Sequence, residues 1–500
     1  MFSRSCRTTL TCLALLAVAL LFGCAGPAAQ LNQPLRMDAD GRPDFLANYG
    51  LERYFSNLSH RTANSADAAD SDILLFVSIS GGGKRSAAFG HGALRGLRDV
   101  ALHPPDGRAI SLLNALDYIS GVSGGSFPAA HYALYRDRSF ETFPSEFLHV
   151  DVNAYIWGIY MLPWNWGWVV DPLVGTNDYM AQIYDRLMFH GATFADLARV
   201  GRPIVSINAT DIVNGTAFPF LGVTFDLLCS DLNSFPIARA VAASNGFPGL
   251  FGPITLQSYA DRCGGQRPPL ATAPVVSPPE TEDTSARRRE LARVESIYGD
   301  PSQTEWVHLL DGGIADNLAL RGLLSLFISL QSNAELFNRT ALGTRRVLVI
   351  SIDGEAEAPH ALAHQRKMGG LFETLSAASG TQIDAYNFET LALTRVHVEH
   401  MAERIRNIRC AQARVVYGHP CGDVRADLVH IALSGITDAA VHERLARIPT
   451  GLTIPRHDVD DLVQFGEALV RDNPVIRSVA DQADFVPLNA PPPAPDVASR

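Results

Sequence analysis

Two glycine-rich turns decide how this chain is read: Ser80-Gly81-Gly82-Gly83-Lys84-Arg85 and Gly121-Val122-Ser123-Gly124-Gly125. Each follows an apolar run and opens a helix-like one. The run before the first, Ile73-Leu74-Leu75-Phe76-Val77-Ser78-Ile79, is unbroken, as expected of a strand buried on both faces of a parallel sheet. The second turn is a G-x-S-x-G elbow, which lifts a serine hydroxyl out of a tight strand-to-helix turn. The first turn offers unhindered backbone N–H groups to a developing oxyanion.

Working outward, strand-like and helix-like segments alternate. Ser86 to Val100 reads as helix, Leu116 to Ser120 as strand and Ala129 to Tyr135 as helix. Strand-like Pro203 to Asn208, helix-like Ile237 to Ser244, strand-like Trp306 to Leu310, helix-like Leu318 to Leu330 and strand-like Arg345 to Asp353 follow. This rhythm implies a three-layer α/β/α architecture on a mainly parallel sheet. Residues 72–355 form the expected catalytic domain, interrupted at about 257–304 by a Pro- and charge-rich insert expected to be irregular. Residues 356–486 read as a mixed α/β extension, with helix-like Ala361 to Leu393, strand-like Asp427 to Leu433 and helix-like Val459 to Val470. Residues 487–500 read as a disordered Pro/Ala-rich tail.

The first 23 residues carry Arg4 and Arg7 ahead of a short apolar run, Leu13 to Phe22, the pattern of an export signal. Leu21-Phe22-Gly23-Cys24 resembles a bacterial lipobox, although Phe22 stands where a small residue is usual. That resemblance implies acylation of Cys24 and anchoring in the cell envelope, and Ala25 resembles the sorting signal for the outer membrane. Residues 24–71 are expected to be a flexible tether. A net charge of −11, from 41 basic and 52 acidic residues, argues against nucleic acid as a partner. Cys229, Cys263, Cys410 and Cys421 permit two disulfides. Three pairings exist, and sequence proximity favours Cys229–Cys263 with Cys410–Cys421. Their spacing does not suggest a metal site.

Tyr155 to Trp168 holds four of the five tryptophans. It is either core beneath a long loop or a surface that receives acyl chains.

Ser123 needs a base to act as a nucleophile. His91, His131 and His308 are candidates, yet none lies in an evident catalytic turn. Asp311, in Leu310-Asp311-Gly312-Gly313, sits just past a strand end, where sites of parallel sheets gather. The structural alternative is an ordinary Asp-Gly-Gly turn.

Three motifs in this order resemble the patatin-like phospholipase family: Gly81-Gly82-Gly83-Lys84-Arg85, Gly121-Val122-Ser123-Gly124-Gly125 and Asp311-Gly312-Gly313. The softer segment Ala240 to Pro248, with Pro253 beyond, resembles it too. Ser86 departs from the glycine often found after the arginine. The resemblance covers roughly residues 72–355. It implies a lipid acyl hydrolase of phospholipase A type, acting on phospholipid or other acyl-lipid esters without a cofactor or calcium. Ser123 and Asp311 would form the dyad, and Gly81, Gly82, Gly83 and Gly124 would line the oxyanion hole. Arg85 would bind substrate phosphate or pin the glycine loop. Two other readings remain: an α/β-hydrolase triad using His360 or His457, and a catalytically idle lipid-binding lipoprotein.

Overall fold

The computed structural model describes residues 31–50, 71–104, 109–171, 174–266, 268, 282–332, 334–354, 366, 371–448 and 450–485. Its centre is an eight-stranded sheet built from β1 (Ile73–Ile79), β2 (Leu116–Val122), β3 (Ile204–Asp211), β4 (Thr216–Pro219), β5 (Ile254–Gln257), β6 (Trp306–Leu310), β7 (Arg346–Asp353) and β8 (Arg425–Ala432). The order is β8-β7-β1-β2-β3-β6-β5, with β4 paired to β3. From β8 to β3 all neighbours run parallel, whereas β4, β5 and β6 pair antiparallel. Every residue of β1, β2, β3 and β7 is buried. Helices cover both faces of these strands, so polar residues within them, such as Ser206, Asn208 and Asp211, are buried and must find partners inside. The expected mainly parallel α/β/α architecture is what the chain adopts.

One buried acid inside the sheet has a local cause. The β1–β2 register slips between Leu75 and Phe76, leaving Asp117 opposite a gap in the ladder. Its carboxylate accepts the Leu75 N–H at 2.9 Å and pairs with Arg202 at 2.8 Å. The charge is thus neutralised where a backbone donor would otherwise be orphaned.

The helices that bear on the site are α1 (Gly83–Asp99), α2 (Ser126–Tyr135), α3 (Val152–Met161), α4 (Ile237–Ser244), α5 (Glu282–Tyr298), α6 (Leu371–Gln412) and α7 (Arg456–Arg471). One of them, together with strand β8, corrects the expected domain division. The segment beyond residue 355 is no separate extension: β8 is the edge of the main sheet, and α7 lies directly on α1. The two helices touch backbone to backbone. A Cβ on Gly92 would fall 2.1 Å from the Val463 carbonyl oxygen, and one on Gly466 would fall 2.3 Å from that of Phe89. At the other end of the sheet Asp72 pairs with buried Arg345, which also pairs with Asp423 at 2.9 Å. Asp72 accepts the Asp484 N–H at 2.9 Å. The C-terminal region is therefore bound both to the start of the first strand and to the helix that follows it.

Two further expectations are corrected. Residues 31–50, assigned above to a flexible tether, pack on the body: Gln33–Pro34 pairs antiparallel with Ser230–Asp231, and Asn32, Leu35, Asn48 and Tyr49 are buried. Asn48 donates to Asp226 at 2.7 Å and accepts the Leu232 N–H at 2.8 Å. Polar side chains that cap buried backbone groups look like linker in a sequence. The insert 257–304 contains α5, whose Tyr298 hydroxyl donates to Asp211 at 2.9 Å. The export signal, Cys24 and the tail 487–500 lie outside the described residues. The disulfides join Cys229 to Cys263 and Cys410 to Cys421.

The glycine contact between α1 and α7 makes a prediction. Gly92→Ala would gain at most about 1 kcal/mol in helix propensity, but must push α7 away, costing on the order of 1–3 kcal/mol. Urea unfolding should show a lowered midpoint; an unchanged midpoint would dismiss the close approach.

Candidate active site

The elbow forms where β2 ends. Ser123 takes a φ of 49°, a left-handed conformation that non-glycine residues rarely adopt and that costs on the order of 1–3 kcal/mol unless its surroundings enforce it. They do. The Ser123 N–H donates to Ser244 Oγ at 2.9 Å, and the Ser123 carbonyl accepts from Ser126 Oγ at 2.6 Å. On either side the backbone is wedged: a Cβ on Gly124 would fall 1.9 Å from the Gly83 carbonyl oxygen, and one on Gly125 would fall 2.4 Å from that of Ile79. Only glycine permits this approach. Pro128 sits in the first turn of α2, where the missing N–H has no intrahelical acceptor to lose.

The glycine loop arrives from β1 and passes against the elbow. A Cβ on Gly81 would lie 3.3 Å from that of Ser123. Gly82 and Gly83 have φ of 129° and 61°, and Gly83 opens α1, whose N-terminal dipole end favours negative charge. The expected cradle needs one correction. The Gly81 N–H is already given to the Asn317 carbonyl at 2.9 Å, so Gly81 holds the loop in place. By contrast, among the described residues no acceptor takes the N–H groups of Gly82, Gly83 or Gly124.

Of the two expectations for Arg85, substrate binding and pinning the glycine loop, the structure meets the second. Arg85 is buried, and its guanidinium donates to the carbonyls of Gly354 and Ile448, so it pins the loop to the C-terminal region. Ser86, where glycine is usual, donates to the Ser80 carbonyl at 2.5 Å. The room it needs comes from Gly354, where a Cβ would fall 2.6 Å from the Ser86 Cα. Lys84 lies beside the loop with its Nζ on the Val150 carbonyl at 2.5 Å, and burial pushes its pKa down to about 8.

Asp311 follows β6, which runs antiparallel to β3, so the acid enters from the opposite direction to the one expected of a parallel strand. The Asp311 N–H donates to the Gly246 carbonyl at 3.0 Å, and the Gly312 N–H donates to that of Ser244 at 3.0 Å. Gly312 can lie there because it carries no Cβ, which would fall 2.1 Å from the Asn208 carbonyl oxygen. The carboxylate then has one donor on each oxygen. Ser123 Oγ donates to Oδ2 at 2.8 Å, and the Gly313 N–H donates to Oδ1 at 2.8 Å. Ser123 and Asp311 are 6% and 8% exposed, so the pair is nearly dry. Burial raises the Asp311 pKa to about 6, against the lowering effect of the hydrogen bonds from Gly313 and Ser123.

Among the described residues, none of the histidines considered above bonds Ser123. His91 is buried, with its pKa pushed down to about 3 by burial. His131 bonds Ser139 and Glu146, His308 bonds Thr255, and His457 pairs with neighbouring Asp458. His360 lies outside the described residues.

Sequence reasoning missed the group that joins the halves of the site. At the end of α4, Ser244 Oγ accepts from the Ser123 N–H and donates to the Asn208 carbonyl at 2.6 Å. Next to it, Asn245 Oδ1 stands 3.4 Å from Ser123 Oγ, and its Nδ2 donates to the Tyr184 hydroxyl at 3.3 Å. The only signal was the soft resemblance over Ala240 to Pro248, which gave these residues no role.

Comparison with known proteins gives the class of this three-layer fold with its elbow, glycine loop and buried aspartate. Residues 77–324 match the family model described as patatin-like phospholipase. Residues 77–324 thus carry a patatin-like phospholipase domain. Among solved structures it is similar to human GIVD cytosolic phospholipase A2, at 12% identity and a TM-score of 0.42, covering 91% of this chain and 69% of the other. No curated protein matches.

The Ser244 bridge carries a stability prediction. Ser244→Ala leaves a buried N–H and a buried carbonyl unpaired, which should cost about 1–3 kcal/mol, read from denaturant unfolding. A variant as stable as the parent would show that the bridge holds nothing.

Proposed function

We propose that this protein is a lipid acyl hydrolase of phospholipase A type, with Ser123 as nucleophile and Asp311 as general base. The observation that carries the reading is the 2.8 Å hydrogen bond from Ser123 Oγ to Asp311 Oδ2. The family match supplies the substrate class, a lipid ester. As the hydroxyl attacks the ester carbonyl carbon, its proton passes to Oδ2. The carbonyl oxygen becomes an oxyanion and takes the N–H groups of Gly82, Gly83 and Gly124, each such donor supporting the transition state by about 3 kcal/mol. Collapse expels the alcohol, which recovers the proton from Asp311. Water then attacks the acyl-enzyme by the same exchange and releases the fatty acid. An aspartate serves here without histidine because desolvation lifts its pKa toward neutrality, as a general base requires.

The working pH follows. With a pKa of about 6, Asp311 is protonated below that value and cannot accept the serine proton. Turnover should rise through pH 6 to a plateau, and Asp311→Asn and Ser123→Ala should each lower it at least about a thousandfold. Both variants should keep the parent's circular dichroism, and a fluorophosphonate should label the parent at Ser123. Turnover retained in either folded variant removes the dyad.

For residues outside the described ones, the lipobox-like Leu21-Phe22-Gly23-Cys24 supports acylation of Cys24 and anchoring to an envelope membrane, the outer membrane by the sorting resemblance of Ala25. Two acyl chains suffice for stable attachment. Radiolabelled palmitate should enter the parent and be absent from Cys24→Ser; equal label in both rules the anchor out.

A further inference from the structure

From Val152 to Val170 the chain carries no charged side chain. In α3, Val152, Ile156 and Ile159 are buried in the core. The opposite face is apolar as well: Trp157 and Met161, one turn apart, are 61% and 64% exposed. Leu162, Trp166, Val169 and Val170 beyond them are also exposed, Val170 at 70%. The turn after α3 folds back on its end, since Asn165 donates to the Gly158 carbonyl at 2.9 Å and Trp166 Nε1 donates to that of Tyr160 at 3.0 Å. The two sets therefore form one uncharged surface. Of the two expectations for this stretch, core or acyl-receiving surface, the buried residues meet the first and the exposed ones leave a face that core packing does not explain. A helix uncharged all round, with large apolar side chains on its outer side, lacks a partner there.

The ends of this helix are tied to the two walls of the site. At its start, the Asn153 N–H donates to Thr453 Oγ1 at 3.0 Å. Thr453 is close in sequence to Gly451, whose carbonyl takes the Lys84 N–H at 2.7 Å and would meet a Cβ on Gly83 at 2.5 Å. At its end, the Tyr160 hydroxyl donates to the Leu250 carbonyl at 2.9 Å, in the loop that follows Asn245 and Gly246. The patch thus adjoins both the glycine loop and the segment that holds Asp311.

We propose that Trp157, Met161, Leu162, Trp166, Val169 and Val170 form the surface by which this protein docks on a zwitterionic lipid bilayer, delivering the site to lipid in the membrane. The inference rests on the lipid hydrolase reading for its choice of partner. Indole rings favour the headgroup level of a bilayer, where an apolar body and a polar edge are both satisfied. The absence of basic residues from the patch, and the chain's net charge of −11, fit a zwitterionic surface and oppose an anionic one. Among the described residues no helix is long and apolar enough to cross a membrane, so the segment lies in the interface plane.

The test uses the full chain with Ser123→Ala, so that the lipid survives, and vesicles of phosphatidylcholine brominated along the acyl chain. Tryptophan emission should fall on mixing, and adding Trp157→Phe with Trp166→Phe should remove most of the fall. In chains that keep Ser123, Trp157→Ser with Trp166→Ser should slow hydrolysis of a fluorogenic acyl lipid carried in phosphatidylcholine vesicles by about tenfold. Turnover of a soluble butyrate ester should be unchanged. The proposal is overturned by absence of quenching in the parent, by equal quenching in the double variant, or by equal losses on soluble and vesicular substrates. It is also overturned if the substitutions dissolve a dimer in sedimentation runs while leaving quenching intact. Quenching without any ester turnover would keep the docking surface and sink the hydrolase reading.

Discussion

Everything in the site depends on the contact of two backbones. The elbow at Gly124 and the loop at Gly83 approach until no Cβ fits between them. That contact brings the N–H groups of Gly82, Gly83 and Gly124, which no acceptor takes among the described residues, close to the elbow that carries Ser123. Donors fixed in advance need no reorganisation when charge develops, which makes them effective in a dry site. The left-handed turn at Ser123 is the local strain this contact imposes. Ser244 holds it by satisfying a buried donor and a buried acceptor with one hydroxyl.

The glycine loop is held in turn from far along the chain. Arg85 is bonded to Gly354 and Ile448, the Lys84 N–H to Gly451, and α7 lies on α1 through Gly92 and Gly466. The C-terminal region thus forms the back wall of the site, and its removal would take the loop's supports with it. This is why the division at residue 355 fails: the matched family stretch ends at 324, yet β7 and β8, beyond it, complete the sheet.

Burial lifts the Asp311 pKa to about 6, and under the proposed mechanism this brings the carboxylate toward the pH at which it would take the serine proton. Under the same proposal, a site so enclosed needs its lipid presented at the entrance. The uncharged face of α3, tied at one end to the segment behind Gly83 and at the other to the loop behind Asn245, lies where such presentation would occur.

Much of this was legible in the chain alone. Unbroken apolar runs and the strand–glycine–helix pattern point to a mainly parallel α/β/α fold and to Ser123, because period and turn chemistry are local properties. Asp311, by contrast, stands out only through the family resemblance carried by three motifs in order. What the sequence could not determine is which N–H groups stay free, that Arg85 faces carbonyls rather than solvent, or that Ser244 joins the two halves. Nor could it determine that residues 31–50 and the C-terminal region belong to one body. Those are long-range pairings between segments with no local signature. A polar residue that caps a buried carbonyl reads the same in a sequence as one that faces water, and only tertiary packing separates them.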